Sequence, residues 1–135
     1  MKKLLLLLFS LMLSFNSYGE WSKVFEEQSE VLDWDNGDIA YLDYKLIYVN
    51  DENVYWWELK NFGKPTNGYK SEMVYLQGNC VSFRVKILST NYFLEPMGKG
   101  NANSSNSSNS EWNYPLPGTH RKRMIDYVCG VRDLL

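Results

Sequence analysis

Two cysteines, a single histidine and one compact basic run are the residues whose types and spacing could do chemistry in this chain. Cys80 and Cys129 show no CxxC spacing and have no cluster of histidines around them, which a metal or redox pair would need. In a chain that leaves the cytoplasm, an even cysteine count reads most simply as one disulfide. Such a bond closes a loop of about 50 residues and contributes about 4 kcal/mol on the chain-entropy estimate. Any Ser-His-Asp site would have to use His120, yet nothing around it resembles a nucleophile elbow, and it reads as a surface histidine at a helix start. Carboxylates are plentiful at turns, but no pair stands out for acid-base work. Asp33-Trp34-Asp35-Asn36-Gly37-Asp38 departs from a calcium loop, because its glycine comes one place early and no closing Glu follows, so it reads as a plain turn. There is no glycine-rich phosphate loop. The residues thus offer nothing positive for an enzyme, and no cofactor or metal is expected.

Two features point to binding instead. Arg121-Lys122-Arg123 places positive charge at the start of a helix, where it opposes the macrodipole, and a cost of that kind suggests contact with an anionic surface. Trp56 sits on a mixed strand face, where it either packs under another element or is presented to a partner.

The compartment follows from the first residues. Lys2 and Lys3 precede an apolar run over residues 4–13, interrupted by Ser10, and the small residues Ser17 and Gly19 follow. Residues 1–19 read as a signal peptide cleaved after Gly19. As a helix the apolar run would reach about 15 Å, half of a roughly 30 Å hydrocarbon core, so it suits export and not a stable span. Residues 20–135 then suffice for one domain with a modest core. The formal charge of −2 becomes two units more negative once Lys2 and Lys3 leave, which argues against nucleic acid as a partner. With 22% charged and 16% aromatic residues the chain is not of a disordered type.

The elements that must position these residues are mostly strands. Alternating or β-rich runs at 21–25, 39–43, 46–49, 54–59, 69–77, 81–88 and 92–94 predict strands. Within 54–59, Tyr55, Trp57 and Leu59 form the better core face, against Val54, Trp56 and Glu58. Phe83, Val85 and Ile87 share one face opposite Ser82, Arg84 and Lys86, the pattern of an antiparallel sheet packed on one side. Lys64-Pro65-Thr66-Asn67-Gly68 breaks the pattern. Residues 98–110, almost all Gly, Asn and Ser, read as a flexible loop, in which Asn103-Ser104-Ser105 and Asn106-Ser107-Ser108 fit the glycosylation pattern by composition alone. Thr119 can cap a helix over 121–129, where Met124, Ile125, Val128 and Cys129 make one apolar stripe and Gly130 is a stop. A bond from Cys129 to strand-borne Cys80 would clamp that short helix to the sheet.

In their order, these residues resemble the surface-adhesin protein E family of exported bacterial proteins. The resemblance runs from Trp21-Ser22-Lys23-Val24 through Tyr41-Leu42-Asp43, Trp57-Glu58-Leu59, Cys80, Arg84 and Met97-Gly98-Lys99-Gly100. It continues through Trp112, Pro117-Gly118-Thr119 and Val128-Cys129. It implies an α+β fold: a single antiparallel sheet of about six strands with a C-terminal helix tied to it by the disulfide. It also implies a homodimer and, for the name-giving member, attachment to host surfaces through matrix or plasma proteins. Asn79 stands where the family often has Asp, and Thr119 where it has Ser. No cysteine near residue 20 is available for a lipid anchor, so a periplasmic or secreted module is expected. The family's host-binding segments are not motif-like and carry over to no numbered residue. The reading is thus a non-catalytic binding module with a protein partner, its candidate surface being Trp56, Arg121, Lys122 and Arg123. The alternative is a periplasmic envelope component that binds a small molecule or assists another envelope protein.

Overall fold

A computed structural model describes residues 21–26, 37–105 and 111–134. The expected leader and most of the turn at 33–38 lie outside these residues. Seven antiparallel strands and one helix follow in chain order: β1 (Ser22–Glu26), β2 (Ile39–Leu42), β3 (Tyr48–Asn50), β4 (Asn53–Thr66), β5 (Tyr69–Asn79), β6 (Val85–Phe93), β7 (Ala102–Ser105) and α1 (His120–Arg132). They form one sheet in the order β1-β2-β4-β5-β6-β7, and β3 also pairs with β4. β2 and β3 share one edge of β4, Leu42 lying opposite Glu58 and Tyr48 opposite Tyr55. A single 3-10 turn at Tyr44–Leu46 separates them, started by Asp43, whose side chain accepts from the Lys45 amide at 3.0 Å. Seven strands therefore fill six lanes, in agreement with the expected sheet.

α1 lies across one face. Its buried Met124, Ile125, Val128 and Cys129 pack on Leu42, Val54, Trp56, Val74, Leu76 and Val85. The core face of β4 is therefore the opposite of the expected one: Val54 and Trp56 are fully buried there and Glu58 nearly so, while Tyr55 and Trp57 remain half-buried on the other side. Period-two alternation marks two faces without ranking them, and the polar Glu58 is tolerated because α1 supplies its partners. At Gly78 a Cβ would stand 2.3 Å from Ile125 Cδ1 and 2.9 Å from the Trp56 ring, so helix and sheet approach there too closely for any side chain. Leu59 is also fully buried, beneath the turn Pro96–Gly98 on the far face. Gly98, at φ +66°, leaves room there, since its Cβ would come within 2.9 Å of Met73 Sδ and 3.5 Å of Leu59 Cδ1.

Other boundaries move for local reasons. β4 runs through the expected break to Thr66, with an irregular register after Asn61, and the chain reverses at Asn67 and Gly68, whose φ of 52° and 84° suit a two-residue hairpin. Residues 81–84 are a turn and not strand. Asn79 Oδ1 accepts from the amides of Val81 and Ser82 at 2.9 Å each, and Phe83 takes a φ of 55°, so its side chain does not join the row of Val85 and Ile87. Ala102–Ser105, expected to be loop, pairs with β6 as an edge strand, and Asn103 Nδ2 donates to the Tyr69 hydroxyl at 3.0 Å. Residues 106–110 of that stretch lie outside the described residues. Thr119 caps α1 as expected, its Oγ1 accepting from the Lys122 amide at 3.3 Å. The helix passes Gly130 and continues to Arg132, since a single glycine costs only about 1 kcal/mol. Cys80 and Cys129 are joined, with Cα atoms 5.6 Å apart, and the bond ties the turn after β5 to the last helical turns.

Candidate binding surface

The sequence singled out Trp56 and the basic run, and the structure does not assemble them into an exposed surface. Trp56 has no accessible surface, because it is the centre of the helix-to-sheet contact. Its indole Nε1 donates to Glu58 Oε1 at 2.9 Å. Arg121 turns inward to form an ion pair with the same Glu58 oxygen at 3.0 Å. His120, expected at the surface, is 5% exposed and its Nε2 lies 3.2 Å from Glu58 Oε2. Lys122 places Nζ 4.7 Å from the centre of the Phe83 ring and also pairs with Asp126 one turn along. Arg123 is exposed. Arg121 and Lys122 thus serve different neighbours within the fold.

Glu58 is a structural anchor for the first turn of α1. Burial pushes its carboxyl up, but the Arg121 charge, the His120 contact and charge, and the Trp56 indole together outweigh burial and bring it down from 4.5 to about 2. A carboxyl held low in the fold stabilises above its unfolded value, and that stability is lost as pH falls from about 4.5 towards 2. Glu58→Gln is accordingly expected to lower stability at pH 7 by about 3 kcal/mol, as for a buried pair deprived of one partner. The gap to the parent should narrow through that acid window in urea melts. A gap that stayed constant down to pH 2 would show that the carboxylate charge is not what anchors the helix.

The opposite sheet face carries what sequence reasoning missed. Cross-strand register places Lys86, Gln77, Tyr55 and Tyr48 side by side on β6, β5, β4 and β3. Next to them Trp57 pairs with Tyr75 and stacks on it, with centroids 4.7 Å apart and planes 21° from parallel. Tyr75 lies 6.3 Å from Tyr55, which lies 5.8 Å from Tyr48. Burial first, then the neighbouring Tyr55 and Tyr48, raises the Tyr75 hydroxyl above its ordinary value. Asn113 bridges to Val85 and extends this end of the sheet by one lane, and the Trp112 ring lies 4.4 Å from the Arg84 guanidinium and 4.8 Å from Lys86 Nζ. Gln77 Nε2 donates to Asn53 Oδ1, beside the row, at 3.4 Å. Tyr48 is 60% exposed, and the other members are half-buried. The signal was present in the alternation of Tyr55 and Trp57 and in the short turn that sets Tyr48 against Tyr55. The same apolar character points equally to a core position, and the pattern alone does not separate the two.

An open cleft of about 410 Å³ lies near the β4–β5 hairpin, lined by Lys60, Phe62, Tyr69, Glu72 and Tyr92 among others. Lys60 and Glu72 pair across it at 2.9 Å. Among the described residues no group of three His, Cys, Asp or Glu side chains could hold a metal ion, and no helix is long and apolar enough to cross a membrane.

Comparison with known proteins agrees with this architecture. Residues 21–130 match the family described as surface-adhesin protein E. A crystal form II structure of Haemophilus influenzae protein E superposes with a TM-score of 0.61 at 17% identity, covering 82% of this chain and 97% of that one. A further structure of Haemophilus influenzae protein E gives 0.61 at 16% identity over 85% and 97%. Protein E from non-typeable Haemophilus influenzae gives 0.53 at 16% identity over 83% and 85%. At such identities the likeness concerns the fold. No curated protein matches the chain.

Proposed function

The chain belongs to the surface-adhesin protein E family, and from that membership we propose that it is an exported, non-catalytic adhesion module that attaches by non-covalent contact with proteins of another surface. The contact surface in this reading is the helix-free face of the sheet. What supports it is one observation: Tyr48, Tyr55, Trp57 and Tyr75 form a continuous aromatic row on the face away from α1, exposed at Tyr48 and half-buried at the other three. Aromatic side chains with an apolar body and a polar tip are the residues that most often anchor protein contacts. The opposite face is filled by α1, and Arg121 and Lys122 of the basic run are engaged within the fold.

The test is attachment of the mature chain to plates coated with extracellular-matrix protein. Tyr55→Ser with Trp57→Ser should reduce it at least tenfold without displacing α1, as near-ultraviolet circular dichroism would report. Undiminished attachment would remove this face from the reading. The cleft beside Lys60 and Glu72 favours a second reading, an envelope component that binds a small molecule. Fractionation separates the two, since an adhesion module is reached by protease on intact cells and an envelope component is released only by osmotic shock.

A further inference from the structure

The helix-free face has a chemical asymmetry that narrows what it can hold. At one end of the row are Tyr48 and Tyr55, and at the other Trp112 lies against two cations, Arg84 and Lys86. Neither cation has a carboxylate partner among the described residues. The Arg84 Nε is buried without a hydrogen-bond partner, so the guanidinium is not fully satisfied within the fold. Between the two ends stands Gln77, a neutral amide with both donor and acceptor capacity. From Trp112 to Tyr48 the row crosses four strand spacings, about 19 Å at the usual separation of paired strands.

We propose that this row takes an acidic oligosaccharide, its ring faces lying on Tyr48, Tyr55 and Trp112, its hydroxyls on Gln77, and a carboxylate or sulfate on Lys86 and Arg84. The proposal rests on the reading of this face as the contact surface and goes beyond the protein contact to a second class of ligand, a glycan. Sugar rings present polarised C–H bonds on one side, which suit the negative face of an aromatic quadrupole, and hydroxyls at the rim, which suit a side-chain amide. The unpaired cations at one end call for an anion there, and an arginine beside a lysine suits a carboxylate or sulfate. Nucleic acid fits less well, since a chain of net charge −2 repels a polyanion with one charge at every backbone unit. An extended peptide recognised by strand addition would run along an edge such as that of β3, which pairs only with β4, and would not reach across the faces of β4, β5 and β6, where Tyr55, Gln77 and Lys86 stand on strands paired on both sides.

The experiment titrates the mature protein with a hyaluronan octasaccharide, followed by tryptophan fluorescence and by amide shifts. Saturable binding that weakens with salt, with shifts at Tyr55, Gln77, Lys86 and Trp112, is the expected result. Arg84→Gln with Lys86→Gln, and separately Trp112→Ala, should each weaken it at least tenfold, while Lys70→Gln, exposed on the β4–β5 hairpin, should leave it unchanged. Lys86→Gln alone, with at least a threefold loss, serves if the double variant does not fold. The inference is overturned by absence of binding, by equal binding of a neutral chitin oligosaccharide of the same length, by equal binding of an oligoglutamate peptide, or by variants that bind as the parent does. Matrix attachment lost in the Tyr55 and Trp57 variant while hyaluronan fails to bind would sink the glycan alone. Hyaluronan binding with that attachment unaffected would sink the protein-contact reading instead.

Discussion

Replacing Trp56 by alanine is expected to destabilise the protein by about 4 kcal/mol, within the usual range for emptying a buried tryptophan site. The indole has no accessible surface, and its ring borders the space beside Gly78 where Ile125 of the helix packs on the sheet. Truncation would leave a cavity there and would also remove the donor that Glu58 accepts at 2.9 Å. The two losses can be separated. Trp56→Phe keeps most of the volume and should lose about 1 to 2 kcal/mol, chiefly for the missing donor. Guanidinium midpoints with the disulfide intact provide the measurement. A loss below 1 kcal/mol in the alanine variant, together with a fall in affinity for a partner, would return Trp56 to the role of recognition residue that its sequence context suggested.

Cys80→Ser with Cys129→Ser should remove about 4 kcal/mol, the value for a closed loop of about this length, from a fold of a size that commonly has 5 to 15 kcal/mol in total. For a domain of this length the thermal midpoint is then expected to drop by roughly 15 °C. The effect should be unevenly distributed. α1 is a helix of 13 residues with an apolar stripe on one side, close to the length at which isolated helices are marginal in water. Its amides should lose hydrogen-exchange protection before those of β4 and β5, which are paired along most of their length. Equal loss of protection in helix and sheet would mean that the bond stabilises the whole domain and not the docking of one element.

The strands, the capped helix and the cysteine pair were legible in the sequence because each rests on local chemistry: period-two alternation, a threonine before an apolar stripe, an even cysteine count. Which face of β4 is inside was not. Tyr55, Trp57 and Leu59 are more apolar as a set than Val54, Trp56 and Glu58, and Glu58 becomes acceptable in the interior through Arg121 and His120, about 60 positions away, together with the indole of Trp56. The same distance hid the function of the basic run, since Arg121 reads as a surface charge until its partner is seen. The turn at 81–84 was hidden by a pattern of Phe83, Val85 and Ile87 that imitates a strand. Asn79 defeats it by drawing two successive amides onto one side-chain oxygen. The strand at Ala102–Ser105 was missed for the opposite reason. Edge pairing uses main-chain groups, and a run of Asn and Ser has them as well as any other sequence.

The two fastenings of α1 respond to different agents. A carboxylate fixes its beginning and a covalent sulfur bond fixes its end, so acid acts on the one and a thiol on the other. A protein passing between acidic and reducing surroundings would therefore lose one fastening in each, and both only where it met the two together.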